Sequence, residues 1–256
     1  MVASWLTDVV TTDIDRALHY THLWGFEWIE LRTVGGKSER VPDVNIKKLV
    51  RRLSEQDIRV SAIRPSLLES PIADPLAWRN ELSDFGEITR FCEKVRCDRI
   101  ILAPFTAACS ASPDRISEAL HALDRKCASA GITATIQYGP DTAFSTLRDV
   151  VAQLEKGGHQ HLRVAATFVP SEHSAGEDPD LQVVRQHVHQ LGHLYVTSTS
   201  VHTPAFTEFL GAVAAEGYAG AVSLLIEDGV SQALKASTAL HLALRAAAKH
   251  AATRAA

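Results

Sequence analysis

The chain has 256 residues, of which 46% are hydrophobic and 22% are charged, and its formal net charge is −4. This composition fits a globular protein with a full core, and the weakly acidic balance without a Lys/Arg run argues against nucleic acid as a partner. No apolar stretch approaches the roughly 20 residues that cross a bilayer, and the N-terminus lacks the pattern of a secretory signal. The four cysteines show no paired CxxC spacing, so they predict reduced thiols in a cytoplasmic protein and not a zinc site.

Strand-like runs rich in Val, Ile, Leu and Thr alternate with longer amphipathic segments along the whole chain. This alternation predicts repeated βα units and a parallel sheet. The predicted strands are 5–10, 27–32, 58–64, 99–105, 131–140 (which ends in a Gly-Pro loop), 162–168, 193–199 and 221–226. The predicted helices are 12–23, 43–55, 75–95, 113–131, 141–158, 180–191, 204–216 and an Ala-rich C-terminal helix from about 230.

The number and size of these units predict the architecture. Eight units in 256 residues average 32 residues each, close to an eightfold barrel of about 250 residues. We therefore predict a single α/β domain over residues 1–256, a (β/α)8 TIM barrel, with a doubly wound open sheet as the alternative. Such a barrel carries its active site at the carboxyl ends of the strands.

Several segments carry a resemblance through their order and spacing. They are 25–31 (GFEWIEL), 58–65 (IRVSAIRP), 131–139 (GITATIQYG), 168–171 (FVPS) with 176–179 (GEDP), 195–200 (YVTSTS) and 217–224 (GYAGAVSL). Together they resemble the xylose-isomerase-like barrels, which include sugar-phosphate isomerases and epimerases, hydroxypyruvate isomerase, inosose dehydratase and endonuclease IV. The resemblance implies a divalent metal that holds neighbouring substrate oxygens while a carboxylate moves a proton beside a carbonyl.

The positions that the resemblance assigns to the metal ligands carry other residues in this chain. The family's glutamate on the fifth strand falls on Gln137, and its aspartate on the sixth falls on Val169. Its histidine on the seventh strand falls on Thr197, and its glutamate on the eighth falls on Leu225. Because Val169 and Leu225 have no side-chain donor atom, we expect no metal. No G-x-G-x-x-G motif opens a helix, so we expect no dinucleotide or other cofactor.

Glu30 matches the family's glutamate on the second strand and is the candidate catalytic base. Two-residue alternation along the strand places Arg32 on the same side, and Arg64 ends the third predicted strand. Two arginines at a barrel mouth suit a carboxylate, a phosphate or an enolate oxygen of a substrate. Alternatively, these charges form a structural network. Asp8 faces either inward as a charge partner or outward as a turn cap.

Two of the twelve histidines follow predicted strands on the catalytic side, so they are candidates for proton transfer near neutral pH. They are His173, after the sixth strand, and His202, after the seventh. The residues that would orient a substrate through hydrogen bonds are Gln137, Tyr138, Thr197 and Thr199. Threonine is also a good strand former, so the two threonines have a structural alternative.

The sequence thus predicts an isomerase-like, epimerase-like or lyase enzyme that uses acid–base chemistry without a metal on a small polyoxygenated or anionic substrate. The alternative is a catalytically silent barrel that binds a metabolite or a partner subunit. DNA repair of the endonuclease IV type would need a metal cluster and a basic face, and the sequence shows neither. We expect a small-molecule partner, no nucleic acid and no membrane, and leave open a homo-oligomer formed through the last helix or the helix that contains Trp78.

Overall fold

A computed structural model describes residues 1–35, 39–105, 112–170, 179–227 and 229–255. Its strands are β1 (Val2–Trp5), β2 (Trp28–Leu31), β3 (Thr33–Val34), β4 (Glu39–Arg40), β5 (Arg59–Ile63), β6 (Arg99–Leu102), β7 (Thr133–Ile136), β8 (Leu162–Phe168), β9 (Leu191–Thr197) and β10 (Ala221–Leu225). Eight of these strands pair in parallel in the order β1, β10, β9, β8, β7, β6, β5, β2. A parallel bridge between Leu6 and Glu30 joins the two ends of the sheet. The predicted TIM barrel is therefore confirmed.

Eight of the nine helices lie between consecutive barrel strands in the described chain, and the ninth follows the last strand. They are α1 (Ile14–Leu23), α2 (Ile46–Glu55), α3 (Pro75–Ser83), α4 (Phe85–Val95), α5 (Pro113–Ala130), α6 (Leu147–Gly157), α7 (Pro179–Gln186), α8 (Pro204–Ala215) and α9 (Val230–Ala255). Polar side chains fix where several of them begin. Asp13 caps α1 by accepting a 2.9 Å hydrogen bond from the backbone of Arg16, and Asn45 accepts from the backbone of Lys48 at the start of α2.

Three predicted helices were wrong in their extent. The helix predicted over 180–191 ends at Gln186 and is followed by a 3-10 turn over Val188–Gln190. The segment 75–95 forms two helices because the backbone N–H of Asp84 turns back to the carbonyls of Glu81 and Leu82. The apolar periodicity continues across this break, so the sequence pattern does not predict it. The helix predicted from residue 141 begins only at Leu147, because Thr146 and Asp149 form a reciprocal capping box there.

The eight predicted barrel strands are all present, but several of their boundaries differ. The first strand ends at Trp5, and residues Thr7–Val9 form a 3-10 turn whose Thr7 hydroxyl donates to the carbonyl of Glu30 at 3.3 Å. The strand predicted over 131–140 contains only Thr133–Ile136, because Gly131 closes α5 in the left-handed conformation with φ 65°. The loop predicted after the second strand contains the antiparallel pair β3 and β4.

The main core fills the space between the sheet and the surrounding helices. A separate small layer inside the barrel consists of Ala62, Ile101, Ala165 and Tyr195, with Leu225 packed against it. Small side chains in this layer leave room for buried polar groups. The barrel's buried polar side chains include Ser4, Glu30, Ser61, Thr135, His193 and Ser223.

Three cysteines, Cys92, Cys97 and Cys127, are free and buried. Burial raises the pKa of each thiol, so all three are neutral near pH 7. Cys109 lies outside the described residues. Within the described ranges, no helix combines the length and apolar character that crossing a membrane requires.

Candidate active site

Glu30, near the carboxyl end of β2, is completely buried inside the barrel. Tyr195 on β9 donates a hydrogen bond from its phenolic oxygen to Oε1 of Glu30 at 2.6 Å. Ser223 on β10 donates to Oε2 at 2.9 Å, and Nε2 of His193 on β9 lies 3.2 Å from the same oxygen. Both carboxylate oxygens therefore have donors, supplied by two strands across the barrel.

These donors decide the charge of the buried carboxyl. Burial by itself raises the pKa of Glu30, because a carboxylate loses its hydration. The hydrogen bond and charge of His193, the charge of Arg64 and the hydrogen bond of Tyr195 outweigh burial, so the pKa of Glu30 lies below its ordinary value. Glu30 is thus an anion at neutral pH.

Arg64 directly follows β5, and its guanidinium connects groups from three other strands. Its side chain is only 15% exposed. Nη2 donates to Oε1 of Gln137, Nε lies 3.7 Å from Oε1 of Glu30, and the guanidinium carbon lies 5.9 Å from the ring centre of Tyr195. Burial lowers the pKa of Arg64, but its interactions with Tyr195 and Glu30 outweigh burial and raise that pKa overall. A permanent positive charge therefore lies at this end of the barrel.

Arg32 and Asp8 form a second ion pair beside this charge. Nε of Arg32 donates to Oδ2 of Asp8 at 2.6 Å, where the side chain of Arg32 is 33% exposed and that of Asp8 is 3% exposed. The sequence left open whether Asp8 faces inward or outward. In the structure Asp8 faces inward, as the buried ion-pair partner of Arg32. Its other oxygen, Oδ1, has no hydrogen-bond partner among the described residues. The charge of Asp8 also contributes to the raised pKa of Arg64, which places both ion pairs in one neighbourhood.

The predicted threonines make local contacts. Oγ1 of Thr197 lies 2.9 Å from Oγ1 of Thr199 and 2.8 Å from Oγ of Ser200, and it accepts the backbone N–H of Ser200 at 3.1 Å. These bonds stabilise the 3-10 turn Ser200–His202 after β9. Tyr138, one residue beyond Gln137, packs partly buried against the main core.

The structure describes one of the two candidate histidines. His202 is exposed at the end of the 3-10 turn that follows β9, on the carboxyl side of the barrel. His173 lies outside the described residues. The catalytic role of each stays a prediction.

Sequence reasoning missed three residues of the buried network, namely His193, Tyr195 and Ser223. Two-residue alternation backward from Thr197 along β9 would have placed Tyr195 and His193 on the same face. The same step backward from Leu225 reaches Ser223. The two-residue alternation was present in the sequence. It identifies these three residues only when β9 and β10 are known to face Glu30.

The four positions that the resemblance assigns to metal ligands do not form a metal site here. Oε1 of Gln137 accepts from the guanidinium of Arg64, whose charge would repel a cation at that place. The side chain of Val169 is 54% exposed, and the apolar Leu225 packs against the inner layer. Thr197 uses its hydroxyl in the turn described above. In the described part of the chain, no group of three or more His, Cys, Asp or Glu residues could hold a metal ion. The residues present do not fit the family's divalent metal.

Solved structures share this fold. The chain is similar to 3-keto-D-glucoside 4-epimerase YcjR from E. coli, with a TM-score of 0.73 and 17% identity over 95% of this chain and 98% of that chain. It is similar to D-psicose 3-epimerase from Clostridium cellulolyticum H10, with a TM-score of 0.70 and 15% identity over 99% of each chain. An AP endonuclease family 2 protein from Brucella melitensis has a TM-score of 0.67 and 14% identity over 91% of this chain and 97% of that chain. At these identities the likeness shows the fold. No curated protein matches the chain.

The family comparison covers most of the sequence. The profile of the xylose isomerase-like TIM barrel matches residues 18–247. This range includes Glu30, Arg64 and Gln137, whereas Asp8 precedes it. The chain belongs to the xylose isomerase-like TIM barrel family.

Proposed function

We propose that this sugar isomerase/epimerase-like barrel moves a proton next to the carbonyl of a small polyoxygenated or anionic substrate, without a divalent metal. The observation that carries the proposal is the position of Arg64, whose guanidinium links Glu30 to Gln137 at the carboxyl ends of the strands. The names of two structural relatives, 3-keto-D-glucoside 4-epimerase and D-psicose 3-epimerase, support a sugar as the substrate class.

The chemistry needs a positive charge next to the carbonyl oxygen. When a base removes the proton from the neighbouring carbon, the electron pair left behind delocalises and the carbonyl oxygen becomes negative. Arg64 is fixed by its neighbours before substrate binds, so it stabilises that oxygen without rearrangement. Return of the proton to the opposite face of the same carbon gives an epimer. Return to the former carbonyl carbon, with transfer of the neighbouring hydroxyl proton to the old carbonyl oxygen, gives an isomer.

Two carboxylates lie near this guanidinium, and their hydrogen bonds suggest different roles. Glu30, the candidate base from the sequence, has donors on both oxygens and no exposed surface. We assign it the positioning of Arg64. Asp8 has one oxygen without a partner among the described residues, and we assign that oxygen as the proton acceptor. Arg32 holds the other oxygen of Asp8 and fixes its direction.

The remaining candidates have supporting roles in this proposal. Gln137 and Tyr138 bind substrate hydroxyls on the side of β7. His202 on the exposed turn returns the proton to the second position, and the same role for His173, which lies outside the described residues, stays a prediction. Thr197 and Thr199 hold the backbone of the turn that presents His202, through their mutual 2.9 Å contact.

Deuterium exchange tests the proposal without knowledge of the product. Purified protein, treated with a chelator, is incubated in D2O with ketoses, keto-glycosides, sugar phosphates and 2-keto acids, and loss of the proton beside the carbonyl is followed by NMR. We expect exchange with at least one sugar in the presence of chelator. Exchange that appears only after Mn²⁺, Mg²⁺ or Co²⁺ is added would refute metal independence, and no exchange with any compound would refute the proposed reaction.

Two variants then distinguish the roles of the two carboxylates. Asp8→Asn removes the proposed acceptor and should abolish exchange. Glu30→Gln keeps the size of the side chain but removes its charge, so it should weaken substrate binding and slow exchange without abolishing it. The reverse pattern would return the base role to Glu30.

The alternative of a catalytically silent barrel predicts a different pair of results. A thermal-shift screen with the same compounds would then show stabilisation by a ligand, while that ligand shows no exchange in D2O.

A further inference from the structure

A second cavity opens at the amino-terminal end of the barrel, opposite the candidate active site. It has a volume of about 500 Å³. The first residues of four strands, Val2, Trp28, Arg99 and Ala221, line it, together with the turn that follows α4. This volume is within the range of small-molecule sites, which is about 300–1,000 Å³.

Arg99 presents an unused donor at this cavity. Its Nε is buried and has no hydrogen-bond acceptor among the described residues. The residues described here also include no carboxylate in an ion pair with Arg99, whereas Arg32, Arg64 and Arg79 each have one. A buried donor without an acceptor costs about 1–3 kcal/mol, and an oxyanion in the cavity would remove this cost.

Arg96 provides an independent observation on the same wall. It ends α4 in the left-handed conformation with φ 55° and ψ 47°. The equivalent positions after α5 and α6 are glycines, Gly131 with φ 65° and Gly158 with φ 62°. A residue with a Cβ in this conformation costs roughly 1–2 kcal/mol, so the chain bears backbone strain at Arg96, which lines the cavity together with Gly131.

The rest of the lining limits the charge of the ligand. The acidic residues Glu93 and Asp98 also line the cavity and are exposed, so the four charged side chains of the lining balance. Cys92 and Cys97 are neutral thiols on the same wall. Ser61 and Thr89 also line the cavity, and their hydroxyls already donate to the backbone carbonyls of Ile29 and Phe85. This composition suits one negative charge with neutral polar groups attached to it, and it disfavours a polyanion.

We propose that this amino-terminal cavity binds a small monoanionic carboxylate, held by Arg96 and Arg99, at a site separate from the candidate active site. The carboxylate lies between the two guanidiniums. The proposal does not depend on the reaction at the other end of the barrel, because none of its residues belongs to that site.

Calorimetric titration with glycolate tests this site. The informative variant is Arg96→Gly, because glycine suits the left-handed conformation, so the variant should fold at least as stably as the parent. We expect Arg96→Gly and Arg99→Met each to weaken glycolate binding by about tenfold or more, equivalent to about 1.4 kcal/mol. Arg148→Met, on the exposed face of α6, is the matched control and should bind like the parent.

Each outcome of these titrations either supports or overturns the proposed site. Weakened binding in both cavity variants with an unchanged control supports the site. Absence of saturable binding by the parent protein overturns the proposal. Equal binding by the parent and both cavity variants also overturns it, since glycolate would then bind elsewhere, for example at Arg64.

Discussion

The phenolic oxygen of Tyr195 donates a 2.6 Å hydrogen bond to Oε1 of Glu30 across the interior of the barrel. The two residues are 165 positions apart in the sequence. Their contact connects strand β9 to strand β2 and leaves Arg64 between them and the barrel mouth. An anion and a cation are thereby held in a fixed order along the barrel, with Glu30 below and Arg64 above.

Removal of the Tyr195 hydroxyl should destabilise the fold measurably. In Tyr195→Phe the buried carboxylate loses a donor, and a hydrogen bond to a charged group is worth about 1.5–3 kcal/mol. Tyr218→Phe is the matched control, because the Tyr218 hydroxyl donates at the same 2.6 Å length to the neutral carbonyl of Ala221. Urea denaturation should show the larger loss for Tyr195→Phe. Equal losses would mean that Glu30 carries no charge in the folded protein.

Arg64 and Glu30 should show coupled effects on stability. Arg64→Met leaves the buried carboxylate without its cation and should cost about 2 kcal/mol, less than the roughly 3–5 typical of a broken buried pair, because Tyr195 and Ser223 still donate to Glu30. Adding Glu30→Gln to Arg64→Met removes the unpaired charge and should recover part of the loss. A double-mutant cycle by urea denaturation measures the coupling, and strict additivity would contradict the pair.

His159 should make stability depend on pH. Its side chain is buried, and neither ring nitrogen has a hydrogen-bond partner among the described residues. Burial lowers the pKa of His159 below that of an unfolded histidine, near 6.5, and the attraction of Asp124 offsets this only in part. The unfolded chain then binds the proton more readily, so the free energy of unfolding should fall as pH drops below about 6.5.

Two histidine variants check this dependence. His159→Leu loses no hydrogen bond and should flatten the slope of unfolding free energy between about pH 5 and 7. Some slope should remain, because burial also lowers the pKa of His241. His202→Gln, at an exposed position, is the control for the loss of one imidazole. An unchanged slope in His159→Leu would rule out a buried neutral imidazole.

Two glycines should respond in opposite directions to alanine. At Gly192 on β9, an added Cβ would lie 2.6 Å from Cβ of Arg163 and 2.6 Å from Oγ1 of Thr135. Gly192→Ala should therefore destabilise the fold by about 1–3 kcal/mol. At Gly86 in α4 nothing lies within 4 Å of an added Cβ, so Gly86→Ala should stabilise by about 0.5–1 kcal/mol. Thermal melting of the two variants measures both effects.

Much of the fold was readable from the sequence, because hydrophobic periodicity and turn residues are local signals. The strand 162–168 was predicted at its observed bounds, and the barrel was predicted from the count of units. The break at Asp84 was not predicted, since a backbone turn can interrupt a helix without interrupting its apolar pattern. The predicted start of α6 was too early, because the helix begins directly after the capping box of Thr146 with Asp149.

Only part of the candidate site could be predicted from the sequence. Glu30, Arg64 and Gln137 were all named from the sequence, and the structure brings these three together. Arg32 was expected to accompany Glu30, but it pairs instead with Asp8, whose orientation the sequence left undecided. Whether a carboxylate has free lone pairs depends on which donors surround it, and those donors come from strands far away in the chain.

The sequence by itself determined an eightfold βα barrel with charged side chains at the carboxyl ends of its strands. The reason is that the alternation and spacing of strand-like and helix-like segments depend on neighbouring residues in the chain. Only the tertiary structure decided how those charges are used. Closure of the barrel brings Tyr195 and Ser223 onto Glu30, and it leaves Oδ1 of Asp8 without a partner among the described residues. The physical reason is that hydrogen bonds inside a barrel join residues on opposite sides of it, and sequence separation carries no information about such pairs.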